Sequence, residues 1–336
     1  MRLQAVPFDA DSHSAADWIE MRALLAPRQL VSFAELERSW EANRANQDRD
    51  PGGGYQEFDD WVIERSGVLQ RRQELLRNSY PFEFSDDDSS FRFVGDANIF
   101  DGRAVYLLCL FLSAATNSSI FVNPVPITPW MRDAFQVVSA WAASGSIRGS
   151  SYVFGWPRKD GSSFLAALHH VYVTLMGDGD ILPHAVPPAG SPGREKDAGI
   201  DVIAWNERID KAGGKLHMLG QVASGGNWRE KPITPYIAAL AKNWLARPWA
   251  VEPAPAMFIP FSIAPVADAT YPEQVRFLSA TYGSLFYREV LPAYAEQGLL
   301  HERIGEAVCH RSNELPGIIR RQIAFLNVLR LAQLQQ

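Results

Sequence analysis

The sequence predicts an α/β protein, with a central unit of strands and helices preceded and followed by regions that are mainly helical. Three observations carry that reading. Residues 199–205 (GIDVIAW) and 215–224 (KLHMLGQVAS) are short and mostly apolar, and the loop between them holds Asp, Asn, Lys and a Gly-Gly pair, the composition of a hairpin. Elsewhere apolar residues recur at the three-to-four-residue spacing of an amphipathic helix. A chain of 336 residues is also long enough for two or three domains and a sizeable core.

Taken in order, residues 15–45 read as two helices. Trp18, Met21, Leu24 and Leu25 recur at helical spacing, and Ser32 followed by Glu35 forms a capping box for the second helix. A polar, glycine-rich link at 46–54 leads to a helix over 56–77 with an apolar face of Phe58, Trp61, Val62 and Leu69; its charges read as a solvated surface. Residues 80–93 alternate aromatic and polar side chains around Asp86, Asp87 and Asp88. The EF-hand spacing and its closing glutamate are absent, so the acidic run reads as a solvated turn. Residues 102–116 are apolar on nearly every side and predict a buried helix.

Three prolines in 123–129 mark a domain boundary, and a helix over 130–143 leads into the next unit. That unit continues with an aromatic run at 151–158, a helix over 162–176, a glycine- and proline-rich loop at 177–193, the hairpin, a helix over 232–246 and a strand over 256–263. Pro260 marks an edge or an end of that strand. From residue 271 the chain is again helical, over 272–295, 299–308 and 317–334, and Arg320, Arg321 and Arg330 of the last segment read as a solvated face. The expected regions are therefore 1–128, 129–265 and 266–336.

Within the hairpin, Asp201 is a single carboxylate in an apolar run, where an unpaired charge is costly to bury. Gln221 stands near the end of the second strand. Two antiparallel strands that each turn one oxygen ligand toward the same end of a sheet can hold a hard divalent cation. The alternative is purely structural: Asp201 faces water at a strand edge and Gln221 satisfies a backbone group.

The pattern Gly-Ile-Asp-Val-Ile, a hairpin, then an apolar strand ending in Gln-x-x resembles the PD-(D/E)XK nuclease superfamily, and within it the Mrr-like restriction endonucleases, over roughly residues 150–265. The resemblance implies a restriction-endonuclease-like core with a mixed central sheet flanked by helices, and the order helix, strand pair, helix, strand agrees with it. It also implies that Asp201 and Gln221 bind Mg²⁺ or Mn²⁺. Glu195 and Asp197 are further acids just upstream, Asp197 sharing a face with Asp201 if the strand already begins there. The family's lysine, which orients or polarises the attacking water, falls at Ala223, and alanine does neither. Ser224 and Lys231 are the nearest replacements; Lys231 precedes a helix that Pro232 would open, and its long stem can reach back to the sheet.

The function so implied is a metal-dependent DNA phosphodiesterase of a prokaryotic restriction or anti-phage defence system, with DNA and protein subunits as partners. The alternative raised by Ala223 is an inactive nuclease-fold subunit that binds DNA or scaffolds a larger complex. The family's glutamate on the helix before the aspartate strand has no counterpart in 162–176, which offers only His169 and His170, read as one core and one exposed histidine.

Composition bounds these readings. With 47% hydrophobic and 21% charged residues the chain resembles ordinary soluble proteins, and its net charge of -6 and pI of about 5.7 assign any nucleic-acid contact to a local basic patch or a partner subunit. Cys109 and Cys309 form neither a metal-ligand spacing nor a disulfide framework, which fits a reducing cytoplasm. No signal-peptide h-region opens the sequence, and the apolar stretch 105–115 is too short to span a bilayer, so the expectation is a cytoplasmic protein with no membrane partner. Residues 220–226 lack the Lys-Ser/Thr ending of a phosphate loop, and no G-x-S-x-G or H-E-x-x-H is present. Ser224 with His217 would imitate a nucleophile and base, without an oxyanion-hole signature. Trp228 is expected to pack on the first turn of the helix that follows it.

Overall fold

The chain folds, in the computed structural model, as α1 (Ser12–Leu25), β1 (Leu30–Ser32), α2 (Phe33–Ala45), α3 (Gly54–Leu76), β2 (Phe82–Phe84), β3 (Ser90–Phe93), α4 (Asp101–Thr116), α5 (Pro129–Ile147), β4 (Ser150–Val153), α6 (Phe164–His169), β5 (Leu182–Pro183), β6 (Val202–Trp205), β7 (His217–Val222), α7 (Thr234–Trp244), β8 (Leu245–Arg247), β9 (Ala254–Phe258), α8 (Tyr271–Tyr282), β10 (Ser284–Phe286), α9 (Leu291–Arg303) and α10 (Leu315–Leu334). The structure describes residues 2–45, 54–95, 99, 101–177, 179–191, 195–264, 266 and 269–334. The link expected at 46–54 lies outside the described residues up to 53, as do 178 and 192–193 of the loop expected at 177–193. The fold is mixed α/β. None of the helices among the described residues is long and apolar enough to cross a membrane.

Two units emerge, Met1–Met131 with Leu315–Gln336, and Arg132–Glu314. This differs from the three expected regions. Residues 266–314 join the central unit because β10 adds a strand to its sheet, and the last helix joins the N-terminal helices because Gln322 donates to the Ala104 carbonyl at 2.8 Å and Phe325 meets Phe111 edge-on at 5.3 Å.

In the first unit, α4 is buried along almost its whole length, as its uniformly apolar sequence requires. Ser32 ends a short strand paired to β3 and immediately precedes α2, whose first turn holds Glu35. The acidic run is the turn of the β2–β3 hairpin, where Asp87 accepts from the Ser85 and Ser89 hydroxyls; these bonds hold its carboxyl down to about 2. The charges of α3 are not all solvated. Arg72 is fully buried between Asp17 at 2.7 Å and Glu20 at 2.9 Å, and the Tyr80 and Tyr106 hydroxyls both donate to Glu20 Oε1, at 2.6 and 2.7 Å. Arg330, read as solvated, donates to the Leu24 carbonyl at 3.1 Å near the end of α1.

The second unit is built on a mixed sheet of order β10-β9-β7-β6-β4. β4, β6 and β7 are antiparallel neighbours, whereas β9 runs parallel to β7 and β10 parallel to β9. Ile203 and Leu219 pack with Leu168, Ile237 and Leu240, so α6 and α7 cover the β6–β7 part of the sheet. Met257 packs with Leu278, Tyr282 and Trp228, so α8 lies by β9. The continuous helix expected over 272–295 is instead α8, β10 and α9. Gly283 explains the break: its φ of +76° stops α8, and a Cβ there would lie 2.1 Å from the Pro255 carbonyl oxygen. α7 likewise ends at Trp244, where Leu245–Arg247 pairs with β5.

Candidate active site

Asp201 precedes β6 at the end of the sheet. Its main chain is tied on both sides: its N–H donates to the Gly220 carbonyl at 2.9 Å, and its carbonyl accepts from Phe154 and Gly155 at 2.8 and 2.9 Å. The carboxylate takes the place of a ladder carbonyl, Oδ2 accepting from the Val222 N–H at 2.8 Å, while Oδ1 accepts from the Gln136 amide of α5 at 3.0 Å. Gly155 makes this possible, since a Cβ there would sit 2.2 Å from Gln136 Nε2 and 2.5 Å from Asp201 Oδ1. The carboxyl is pushed up to about 7, chiefly because burial disfavours its charge. Asp197 adds to the rise, and the Val222 N–H, the Gln136 amide and the Lys231 ammonium oppose it.

The β6–β7 ladder ends at Val202–Gly220, so Asp201 and Gln221 each lie one residue beyond its last pair. Gln221 is 9% exposed, and its Oε1 has no hydrogen-bond partner among the described residues. A buried acceptor left without a donor is uncommon and asks for an explanation. Ala223 is 2% exposed and packs with Trp228 and Met257.

The other expected residues divide into those near Asp201 and those that are not. Lys231 is half-buried, follows a single 3₁₀ turn at Trp228–Glu230, and lies close enough to Asp201 for its charge to be felt. It does not stand at a helix start opened by Pro232: α7 begins at Thr234 and carries Pro235 in its first turn. Asp197 is also within electrostatic reach, but its carboxylate holds a turn, Oδ1 accepting from Gly199 at 3.0 Å and Oδ2 from Trp156 at 3.3 Å. Glu195 folds back on the N–H groups of Lys196 and Ala198, at 3.1 and 3.2 Å, and no interaction joins it to Asp201. Ser224 lies beyond the end of β7 and makes no hydrogen bond to Asp201; His217 opens the same strand, on the order of 20 Å away by strand rise, which separates that nucleophile–base pair. His169 bonds the His184 carbonyl at 2.9 Å, and His170 packs edge-on to Tyr152.

Trp228 is buried as expected, but its partner is different. It packs edge-on to Tyr282 of α8 at 5.1 Å, not on the first turn of α7. The residue missed by sequence reasoning is Gln136. Its one signal is an amide within the apolar run of α5, Ala134-Phe-Gln-Val-Val138.

No group of three or more His, Cys, Asp and Glu side chains suited to a metal is found among the described residues. The donor set at Asp201 still suits a hard cation that keeps most of its water, because Mg²⁺ is commonly held by one or two carboxylates with water and substrate phosphate completing its shell. Fold and site together define a mixed α/β protein with a carboxylate–amide pair at the end of its central sheet. Against protein-family models, curated proteins and solved structures, the chain has no match.

Proposed function

We propose that the second unit carries a PD-(D/E)XK-type phosphodiesterase centre that acts on DNA, in restriction or anti-phage defence. The observation that carries the reading is the buried, unpartnered Gln221 Oε1 on the strand residue next to Val222, whose N–H the Asp201 carboxylate accepts. Helix α6, the antiparallel pair β6 and β7, helix α7 and strand β9 follow the order helix, strand pair, helix, strand that the resemblance implies. Bound between Asp201 and Gln221, Mg²⁺ or Mn²⁺ would acidify a water molecule and neutralise charge on phosphate oxygens. The Gln136 amide and the Val222 N–H fix the plane of the carboxylate and favour its charged form. Lys231 brings the positive charge that Ala223 lacks, on an element beside the strand, where it would face a phosphate drawn to the site.

A second reading is favoured by the burial of Ala223 against Trp228, which leaves no room for the family's lysine. In it the unit has lost catalysis and serves as a DNA-binding or scaffolding subunit. Plasmid nicking with Mg²⁺ or Mn²⁺, with natural partner subunits added, separates the two. Cleavage by the parent, lost in Asp201→Ala and reduced at least tenfold in Lys231→Ala, supports the enzyme. A parental rate for Lys231→Ala removes that residue's role, and a parent that never cuts leaves the scaffold.

A further inference from the structure

Beside the candidate site lies a cavity of about 740 Å³, within the size range of pockets for small molecules and cofactors. Its wall is aromatic. Trp156 stands 44% exposed on its lining, and Phe164 and Trp244 meet edge-on at 4.7 Å behind it. The frame is fixed by Arg158, which donates to the carbonyls of Phe154, Ser162 and Lys196 at 2.8, 3.2 and 2.7 Å and lies 5.4 Å from the Trp156 ring.

The charged side chains of the lining, among the described residues, are Glu195 and the exposed Lys196; the rest of its polar groups are serine hydroxyls and main chain. Glu195 uses Oε1 on its own turn, which leaves its second oxygen for an occupant. A carboxylate repels phosphate and accepts from an amine. Arg158, the one buried cation of the frame, is engaged with backbone carbonyls. The occupant suited to the aromatic wall and to Glu195 is flat and aromatic, with N–H donors on its edge.

The cavity is joined to the Asp201 site through consecutive residues. Gly155 touches the Asp201–Gln136 hydrogen bond, and the next residue, Trp156, donates its N–H to Asp197 while lining the cavity. We infer that this cavity takes a nucleobase bearing an exocyclic amine, turned out of the DNA strand next to the phosphate held at Asp201. Trp156 is its stacking platform and Glu195 the acceptor for its amine. The inference rests on the phosphodiesterase reading for the origin of the base, but the cavity can be probed without cleavage.

The probe is 2-aminopurine deoxyribonucleoside monophosphate, whose emission falls when its ring stacks on tryptophan. Titration of the full chain should give saturable quenching, competed by dCMP or dAMP better than by TMP. Trp156→Ala should weaken binding on the order of tenfold, the scale of one lost base–aromatic stack. Glu195→Gln should keep binding and erase the preference over TMP. The melting temperatures of both variants are measured alongside, so that loss of binding is not confused with unfolding. Absence of saturable quenching by the folded parent, or unchanged binding in Trp156→Ala, overturns the inference. Plasmid cleavage without nucleobase binding overturns this inference alone, whereas nucleobase binding by a parent that never cuts removes the phosphodiesterase reading and leaves the pocket standing.

Discussion

Replacing Asp201 by asparagine should make the metal-free protein more stable at pH 8. The folded carboxyl titrates at about 7, above the ordinary 3.8, so the folded chain keeps a proton that the unfolded chain loses. Stability contributed by this group is therefore full below pH 4 and is lost as pH rises through 7. A shift of that size corresponds to at most about 4 kcal/mol, and the solvent contact of a half-buried side chain reduces it to on the order of 2 kcal/mol. Asparagine removes the charge and keeps the shape. Its Oδ1 can accept from the Val222 N–H, and a flipped Gln136 amide can accept from its Nδ2, so both hydrogen bonds survive. The assay is urea unfolding of parent and Asp201→Asn in EDTA from pH 5 to 8. The difference between them isolates Asp201, because other titrating groups such as His310, held down to about 4 by burial and the neighbouring Arg311, contribute equally to both. The variant should gain on the parent from pH 5 to about 7 and level off by pH 8, and Mn²⁺ should stabilise the parent but not the variant at pH 8. A difference that is flat, or that favours the parent at high pH, would refute the argument from burial.

Three further outcomes follow from other contacts. Arg72→Met leaves Asp17 and Glu20 buried without their cation and should cost about 3–5 kcal/mol in urea unfolding, more at pH 8 than at pH 5 because protonation relieves the uncompensated charge. Trp228→Ala should lower stability by about 3–5 kcal/mol; an unchanged melting temperature would contradict its packing on Tyr282. Gly155→Ala should push Gln136 away from Asp201 and weaken Mn²⁺ binding, measured by calorimetry, at least tenfold, whereas Gly161→Ala, a change at a position with open space around it, should leave Mn²⁺ binding as it was.

What could be read from the sequence was local. The two hairpin strands and the buried helix α4 each follow from patterns within a few residues of one another. Gln136 was hidden because it reaches Asp201 across a separation of 65 residues, and an amide in an apolar helix has no periodic signature. Arg72 looked like one of many surface charges because its partners lie 52 and 55 residues away. β10 is only three residues long and sits between two helices, so its one visible signal was Gly283, which reads as a tolerated helix residue until the neighbouring strand is known. The aromatic cavity is assembled from three separate segments, and no one of them suggests a concave surface.

The division of the chain has a consequence for how it is made. The unit that carries Asp201 is continuous, and near its two ends Asp133 and Arg311 are clasped at 2.6 Å, with Glu314 joining the same arginine at 2.8 Å. The helical unit is split and waits for α10. On a ribosome, where chains emerge from the N-terminus and domains fold as units, the sheet unit has all its residues before the helical unit has its last helix. The helices translated first are therefore completed last, and until then the faces of α1 and α4 that α10 covers are the surface most open to misassembly.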